Sequence, residues 1–353
     1  MKSKLSSTSR RKFLASAPLL ATAFATSTVQ ASEKKDTRQK IKFSLFSDLH
    51  HKESEFHWVT ERLEAILKRA EENNVDFIME CGDFCSNVKT AKKLLDRYNN
   101  FKVPTYHAVG NHDFQSTKTL DIVMKAMNMK NNFYTVDKGV FKLIVLDANY
   151  YKDADGSFKH YASSSAYDKC HQKMAIITPP QLEMLGEALR TAKGPCLIFS
   201  HHGIRLDRPS YSITNSKEVL DVIEKNRHTP IMWSVGHYHR NHLRLDNGIA
   251  HFMVNSTTWD WLGGKFHSGY PEEMVKKGPE QLIRRICIYE KPVHAIVTVW
   301  EDGEIKIEGM KGGPFLGKTP EMLGSSSYKD NIPFDPSVLS AHFKIFPAIK
   351  EDA

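Results

Sequence analysis

The chain has 353 residues, 41% of them hydrophobic and 25% charged. Those proportions exclude a disordered, collagen-like or multi-span membrane protein and leave room for one or two domains. A core of that size needs no disulfide framework from the five cysteines. The formal charge of +8 is concentrated at the start, where Lys2, Lys4, Arg10, Arg11 and Lys12 precede any acidic residue; setting these five aside leaves 44 basic residues against 41 acidic ones, or +3. So mild a balance gives no reason to expect nucleic acid as a partner.

Residues 1–31 read as an export signal: a basic start, an apolar, small-residue run from Phe13 to about Thr28, and a cleavage site at Val29-Gln30-Ala31. The run is short and rich in Ser and Thr for a bilayer span, so no stable membrane insertion is expected after its removal. Ser9-Arg10-Arg11-Lys12-Phe13-Leu14 resembles the twin-arginine signal, read by an export machinery that moves folded proteins. This predicts an exported protein, periplasmic or associated with the cell envelope. Residues 32–40 are charged and read as a linker.

From Ile41 the chain alternates β-rich runs with amphipathic helical runs, the pattern of a layered α/β domain over residues 41–310. Strands are predicted at 41–46, 77–81, 105–109, 143–146, 195–200, 231–235 and 250–254. Phe56, Val59, Leu63, Ile66, Leu67 and Ala70 form one apolar helical stripe. Thr178 followed by Pro179-Pro180 starts a helix with a Leu182, Leu185, Leu189 stripe, and another with Val219, Leu220 and Ile223 follows Ser216. Ala295–Trp300 and Glu304–Gly309 flank Glu301-Asp302-Gly303 as a hairpin. Residues 311–353, with Gly, Pro and Ser, read as an irregular C-terminal arm whose end Phe343, Ile345, Phe346 and Ile349 would pin.

Five strand ends are followed at once by Asp, His or Asn: Asp48-Leu49-His50, Gly82-Asp83, Gly110-Asn111-His112-Asp113, Ser200-His201-His202-Gly203 and Gly236-His237-Tyr238-His239. Residues at the carboxyl ends of neighbouring strands can converge on one rim. Imidazoles combined with hard carboxylates favour zinc, manganese or iron, and the lack of Cys in the set argues against a structural zinc site. Asp48, His50, Asp83, Asn111, His201, His237 and His239 are too many ligands for one ion but fit two that share a carboxylate. Two such divalent metal ions can activate a bridging hydroxide and clamp a phosphoryl oxygen.

These five blocks, in this order, resemble the signature of the calcineurin-like metallophosphoesterases, over about Ile41 to Thr258. The resemblance implies two facing mixed sheets wrapped by helices, a four-layer α/β/β/α sandwich. It implies that Asp48, His50 and His239 hold the first metal and Asn111, His201 and His237 the second, with Asp83 bridging. It also implies that His112 protonates the leaving oxygen after attack by a metal-bound hydroxide, with Asp113 orienting or tuning its ring. Asp147-Ala148-Asn149-Tyr150 and Thr178-Pro179-Pro180-Gln181-Leu182 show a fainter similarity to the manganese-dependent branch acting on ADP-ribose and CDP-alcohols. The expected substrate is therefore a small phosphodiester or diphosphate-linked, nucleotide-like compound. A phosphomonoester is the alternative, and a non-catalytic scaffold of the same fold the alternative from another class.

Specificity is expected in two loops. One, from Asp147 to Thr178, carries Asn149, Tyr150, Tyr151, Tyr161 and Tyr167 as a lid or wall; the other, from Asn255 to Tyr270, carries Trp259, Trp261, Phe266, His267 and Tyr270. Lys52, Arg205, Arg208 and Arg240 lie near the motifs and read as solvated charges. Cys81 and Cys85 flank Gly82-Asp83 and read as buried, inert thiols, with no essential disulfide.

Overall fold

The computed structural model describes residues 36–52, 58–163, 175–204, 212–262, 269–277, 280–324 and 334–346. The export signal, residues 32–35 of the linker, Phe56, Tyr167, Arg205, Arg208, Phe266, His267 and Ile349 lie outside these residues. In chain order the strands are β1 (Lys40–Phe46), β2 (Phe77–Glu80), β3 (Thr105–His107), β4 (Tyr134–Lys138), β5 (Phe141–Val145), β6 (Tyr150–Lys152), β7 (Phe158–His160) and β8 (Cys196–Ser200). They continue with β9 (Ile231–Val235), β10 (His242–Asp246), β11 (Ile249–Met253), β12 (Trp259–Trp261), β13 (Ile286–Ile288), β14 (Ala295–Trp300), β15 (Glu304–Gly309) and β16 (Ala341–Lys344).

Two six-stranded mixed sheets result, in the orders β16-β15-β14-β1-β2-β3 and β10-β11-β9-β8-β5-β4. In the first, β1, β2 and β3 run parallel; in the second, β5, β8, β9 and β11 do. The period-two alternation of a strand divides each sheet's apolar residues between its faces. Ile41, Phe43 and Leu45 of β1 point into the space between the sheets, where they meet Phe77, Leu143, Val145, Phe199 and Val297. Phe43 stacks on Phe77 at 4.8 Å and meets Phe199 edge-on at 5.7 Å. Full burial of each such side chain contributes about 2 kcal/mol.

The outer faces are covered by helices. Val59, Leu63, Ile66, Leu67 and Ala70 of the helix Val59–Glu72 join Phe46 and Ile78 on the first sheet. On the second, Leu185 and Leu189 of Pro179–Arg190 and Val219 and Ile223 of Ser216–Asn226 cover Ile144, Ile198 and Trp233. The order from outside to outside is helix, sheet, sheet, helix, the four layers anticipated.

Three expectations are corrected. The linker reading fails at 38–40: Lys40 opens β1, Arg38 pairs with Asp302 at 3.0 Å and with Glu304, and Gln39 exchanges hydrogen bonds with Glu301, so the segment is tied to the β14–β15 turn. The arm is not wholly irregular, since β16 adds an edge strand against β15. Residues 335–339 are clamped there by Asn241 and Asn255, whose side chains reach Asp335 and Ser337. Ile345 is buried, but Phe346 is 68% exposed and pins nothing. The Asp147 segment is not a lid wall: Asp147 and Asn149 are fully buried, with Asp147 bound by Asn132, His160 and Gln181, and the Asn149 amide donating to Val109 O at 2.9 Å.

Candidate metal centre

β1, β2 and β3 are neighbours in one sheet, and β8 and β9 in the other, so their carboxyl ends open onto one rim. The loops leaving them are tied to one another by main-chain bonds: Asp48 N to Gly82 O at 3.0 Å, His50 N to Asp83 O at 2.9 Å, and Gly236 N to His201 O at 3.1 Å. Five of the seven candidate ligands sit on an unusual backbone. Asp48, His50, Asp83, His237 and His239 all have φ between 50° and 69°, a left-handed conformation that side chains disfavour. Gly82, at φ 92°, can bear no side chain: a Cβ there would lie 2.5 Å from His201 Nδ1.

The side chains form two groups with a shared member between them. In the first, His50 Nε2 and His239 Nε2 are 3.0 Å apart and lie 3.5 and 3.2 Å from Asp48 Oδ1. The other oxygen of Asp48 is occupied by the Ser47 hydroxyl at 2.5 Å and His237 N at 3.0 Å, which aims Oδ1 at the imidazoles. In the second, His201 Nε2 is 3.1 Å from Asp83 Oδ2 and 3.2 Å from His237 Nδ1. Asp83 Oδ2 is also 3.9 Å from His50 Nε2, so this carboxylate faces both groups. Asn111 is buried, and neither polar atom of its side chain has a hydrogen-bond partner among the described residues. A buried amide in that state calls for a ligand.

The tautomers are set for ligation. His239 Nδ1 meets the Trp259 carbonyl at 2.6 Å and His201 Nδ1 the Cys81 carbonyl at 2.8 Å; a carbonyl only accepts, so each ring carries a proton on Nδ1 and turns its Nε2 inward. Burial favours raising Asp48, but His239 and His50 hold it well below the usual carboxylate range. Burial likewise works to raise Asp83 and is outweighed by His201 and His112. It pushes His50 down to about 3 and, with His202 and His201 adding to it, drives His237 well below its ordinary value. His201 goes the other way, lifted by Asp83 to about 9 against its burial. Anionic carboxylates and imidazoles with inward-facing ring nitrogens fit two divalent cations, which would take the place of the proton that Asp83 holds on His201.

All seven candidate ligands thus follow strands that end at the rim, and His112 stands beside them with its backbone N–H donating to Asp83 Oδ1 at 2.7 Å. Asp113 departs from expectation. Its carboxylate accepts the backbone amides of Asp83 at 3.0 Å, Gly110 at 2.8 Å and Cys85 at 3.0 Å, bracing two loops instead of orienting the His112 ring. Burial and Asp83 push Asp113 up to about 7, against the amides that favour its charge. The ring of His112 is held by Gln115, whose Oε1 lies 3.0 Å from Nδ1, a residue that sequence reasoning missed. Its position three residues after His112 on a short 3-10 turn is the only signal that points to it.

The neighbouring charges also differ from expectation. Lys52 is no solvated charge: its Nζ meets Gln115 Oε1 at 3.3 Å. Arg240 is buried and pairs with Asp260, and its Nη1 donates to His239 O at 3.0 Å. Trp259 stacks on His50 at 4.9 Å, and the half-buried Trp261 lies 6.4 Å from the His112 ring with the two planes 20° apart. His202 is buried with its ring 4.3 Å from that of His237. Cys81, Cys85, Cys196 and Cys287 are buried free thiols.

The family profile described as calcineurin-like phosphoesterase matches residues 41–241. Among solved structures, a dimetal phosphatase from zebrafish (Danio rerio) superposes with a TM-score of 0.54 at 15% identity, covering 76% of this chain and 95% of its own. The anchor protein of the Plasmodium inner membrane complex has a TM-score of 0.48 at 12% identity, covering 88% and 90%. None of the curated proteins compared with the chain matches it.

Proposed function

Since the chain belongs to the calcineurin-like phosphoesterase family and is a metal-dependent phosphoester hydrolase, we propose that it is an exported enzyme that cleaves a small phosphodiester or diphosphate-linked, nucleotide-like substrate. The observation that carries this reading is the pair of His/Asp groups joined through Asp83, with His112 at their edge. Asp48, His50 and His239 would hold one cation, and Asn111, His201 and His237 the other, with Asp83 common to both. Bound there, manganese, iron or zinc would supply Lewis acidity toward phosphoryl oxygens and lower the pKa of water.

The protein's own residues do the rest. Asp48 and Asp83 would supply the negative charge that holds the cations. His239 and His201, each anchored through Nδ1 to a carbonyl, keep their Nε2 atoms in place. His112 presents a proton to the departing oxygen, a form of general-acid help worth about 100-fold or more. Trp261 offers an aromatic face beside His112 on which a planar leaving group can stack. Export through the twin-arginine route would let the cations load during folding in the cytoplasm.

The test is turnover of an aryl phosphodiester, an aryl phosphomonoester and a dinucleotide diphosphate by the manganese-loaded full chain, with a chelated control. Faster hydrolysis of the diester or diphosphate is expected. A tenfold preference for the monoester would make the protein an exported phosphatase, and silence on all three would revive a scaffold role.

A further inference from the structure

Asp113 does not hold the His112 ring, so the orientation of that ring must come from elsewhere. Gln115 Oε1 lies 3.0 Å from His112 Nδ1 and 3.3 Å from Lys52 Nζ. An amide's oxygen and nitrogen are assigned from their neighbours, and here the neighbours decide. The ammonium of Lys52 has donors only, so the Gln115 atom it meets is the acceptor oxygen. His112 Nδ1 shares that oxygen and must therefore donate to it. The ring then keeps a proton on Nδ1 throughout: as the imidazolium it passes its Nε2 proton to the leaving oxygen and is left as the neutral ring protonated on Nδ1.

We propose that Gln115, held by Lys52, is the positioning residue that fixes the tautomer and plane of His112 toward the leaving oxygen. The inference rests on the reading of His112 as the proton donor. Gln115 never touches substrate in this account; it acts only through the ring. An amide oxygen suits the task differently from a carboxylate, because it orients the ring without taking up its proton. Lys52, donating to the same oxygen, keeps the amide from flipping and presenting its NH₂ to Nδ1.

Leaving groups separate this role from a structural one. On aryl diesters with poor leaving groups, which need a proton as they depart, Gln115→Ala should lower kcat about 100-fold with little change in KM; on strongly activated aryl diesters the loss should be tenfold smaller or less. Gln115→Glu, which keeps an acceptor for both donors, should recover most of the loss, and Lys52→Met should show a weaker version of the same pattern. If His112→Ala shows the leaving-group dependence and Gln115→Ala does not, the positioning role is overturned while His112 stands. If His112→Ala shows none, the failure lies in the reading beneath it. A readout independent of turnover is the ¹⁵N shift of the His112 ring in the wild-type chain, assigned by its absence from His112→Ala. An Nδ1-protonated ring at neutral pH is expected, and a ring protonated on Nε2 alone would refute the proposal.

Discussion

Asp113 offers the sharpest test of how this centre is built, because its neighbour in sequence and its neighbours in space suggest different jobs. Its carboxylate is fully buried and takes three amides, two on Oδ2 from Asp83 and Gly110 and one on Oδ1 from Cys85. In Asp113→Asn the amide oxygen occupies the Oδ2 position and keeps two of those bonds. The NH₂ then confronts the N–H of Cys85, donor against donor. One charge-assisted bond is lost and one buried amide left unpaired, a cost of about 2 kcal/mol. Asp113→Ala strands all three amides and should cost about 5 kcal/mol. Urea denaturation of the metal-free full chain reads both values. Metal affinity should fall in parallel, because the amides being braced belong to the loops of Asp83 and Asn111. A stability change under 0.5 kcal/mol in Asp113→Asn, together with a selective loss on substrates with poor leaving groups, would refute the bracing role and return Asp113 to the His112 ring.

Asp83→Asn should lower bound metal from about two equivalents to fewer than one by elemental analysis, because Asp83 faces both groups; retention of both would remove it from the shared position. His294 is fully buried, and burial together with Arg69 pushes its ring down to about 3. An unfolded histidine takes a proton near pH 6.5, so between 6.5 and 3 the unfolded state binds more protons and stability falls as pH drops. From pH 6.5 to 5 the fall should be about 2 kcal/mol larger than in His294→Leu, as read from denaturation midpoints. Ellman's reagent should leave Cys81, Cys85, Cys196 and Cys287 unlabelled in the native chain and label them in urea; burial raises each thiol, Cys196 to about 11 and Cys287 to about 12.

Most of the framework was legible in the sequence, for reasons particular to its strands. β8 and β9 are continuous apolar runs buried on both faces, and β14 and β15 are separated by a glycine turn, so their patterns are dominated by burial. β16 was not legible: Ala341, His342, Phe343 and Lys344 sit at a sheet edge and alternate between half-buried and exposed, so composition cannot tell them from a coil. The candidate ligands could be picked out because Asp, His and Asn recur directly after strand ends. Their supports were not. Gln115 is three residues from His112, a spacing too common to single it out; Lys52 and the carbonyls of Cys81 and Trp259 act through tertiary contacts that no spacing encodes, and Arg62, on the buried stripe of its helix, reaches Thr257 O at 3.2 Å across the fold. Asp113 misled because adjacency in sequence places its carboxylate on the other side of the turn from the His112 ring.

The five left-handed ligand residues have a consequence for how the protein responds to metal supply. Each such backbone costs on the order of 1 kcal/mol, so together they set about 5 kcal/mol against a fold whose whole margin is about 5–15 kcal/mol. Cations bound by these turns would add stability to the folded state and so offset that cost. Withdrawing the cations leaves the strain uncompensated at the rim while the two sheets stay intact. Starvation for metal is then felt as local loosening, an early softness of the turns that a protease or an exchange experiment meets before any global unfolding.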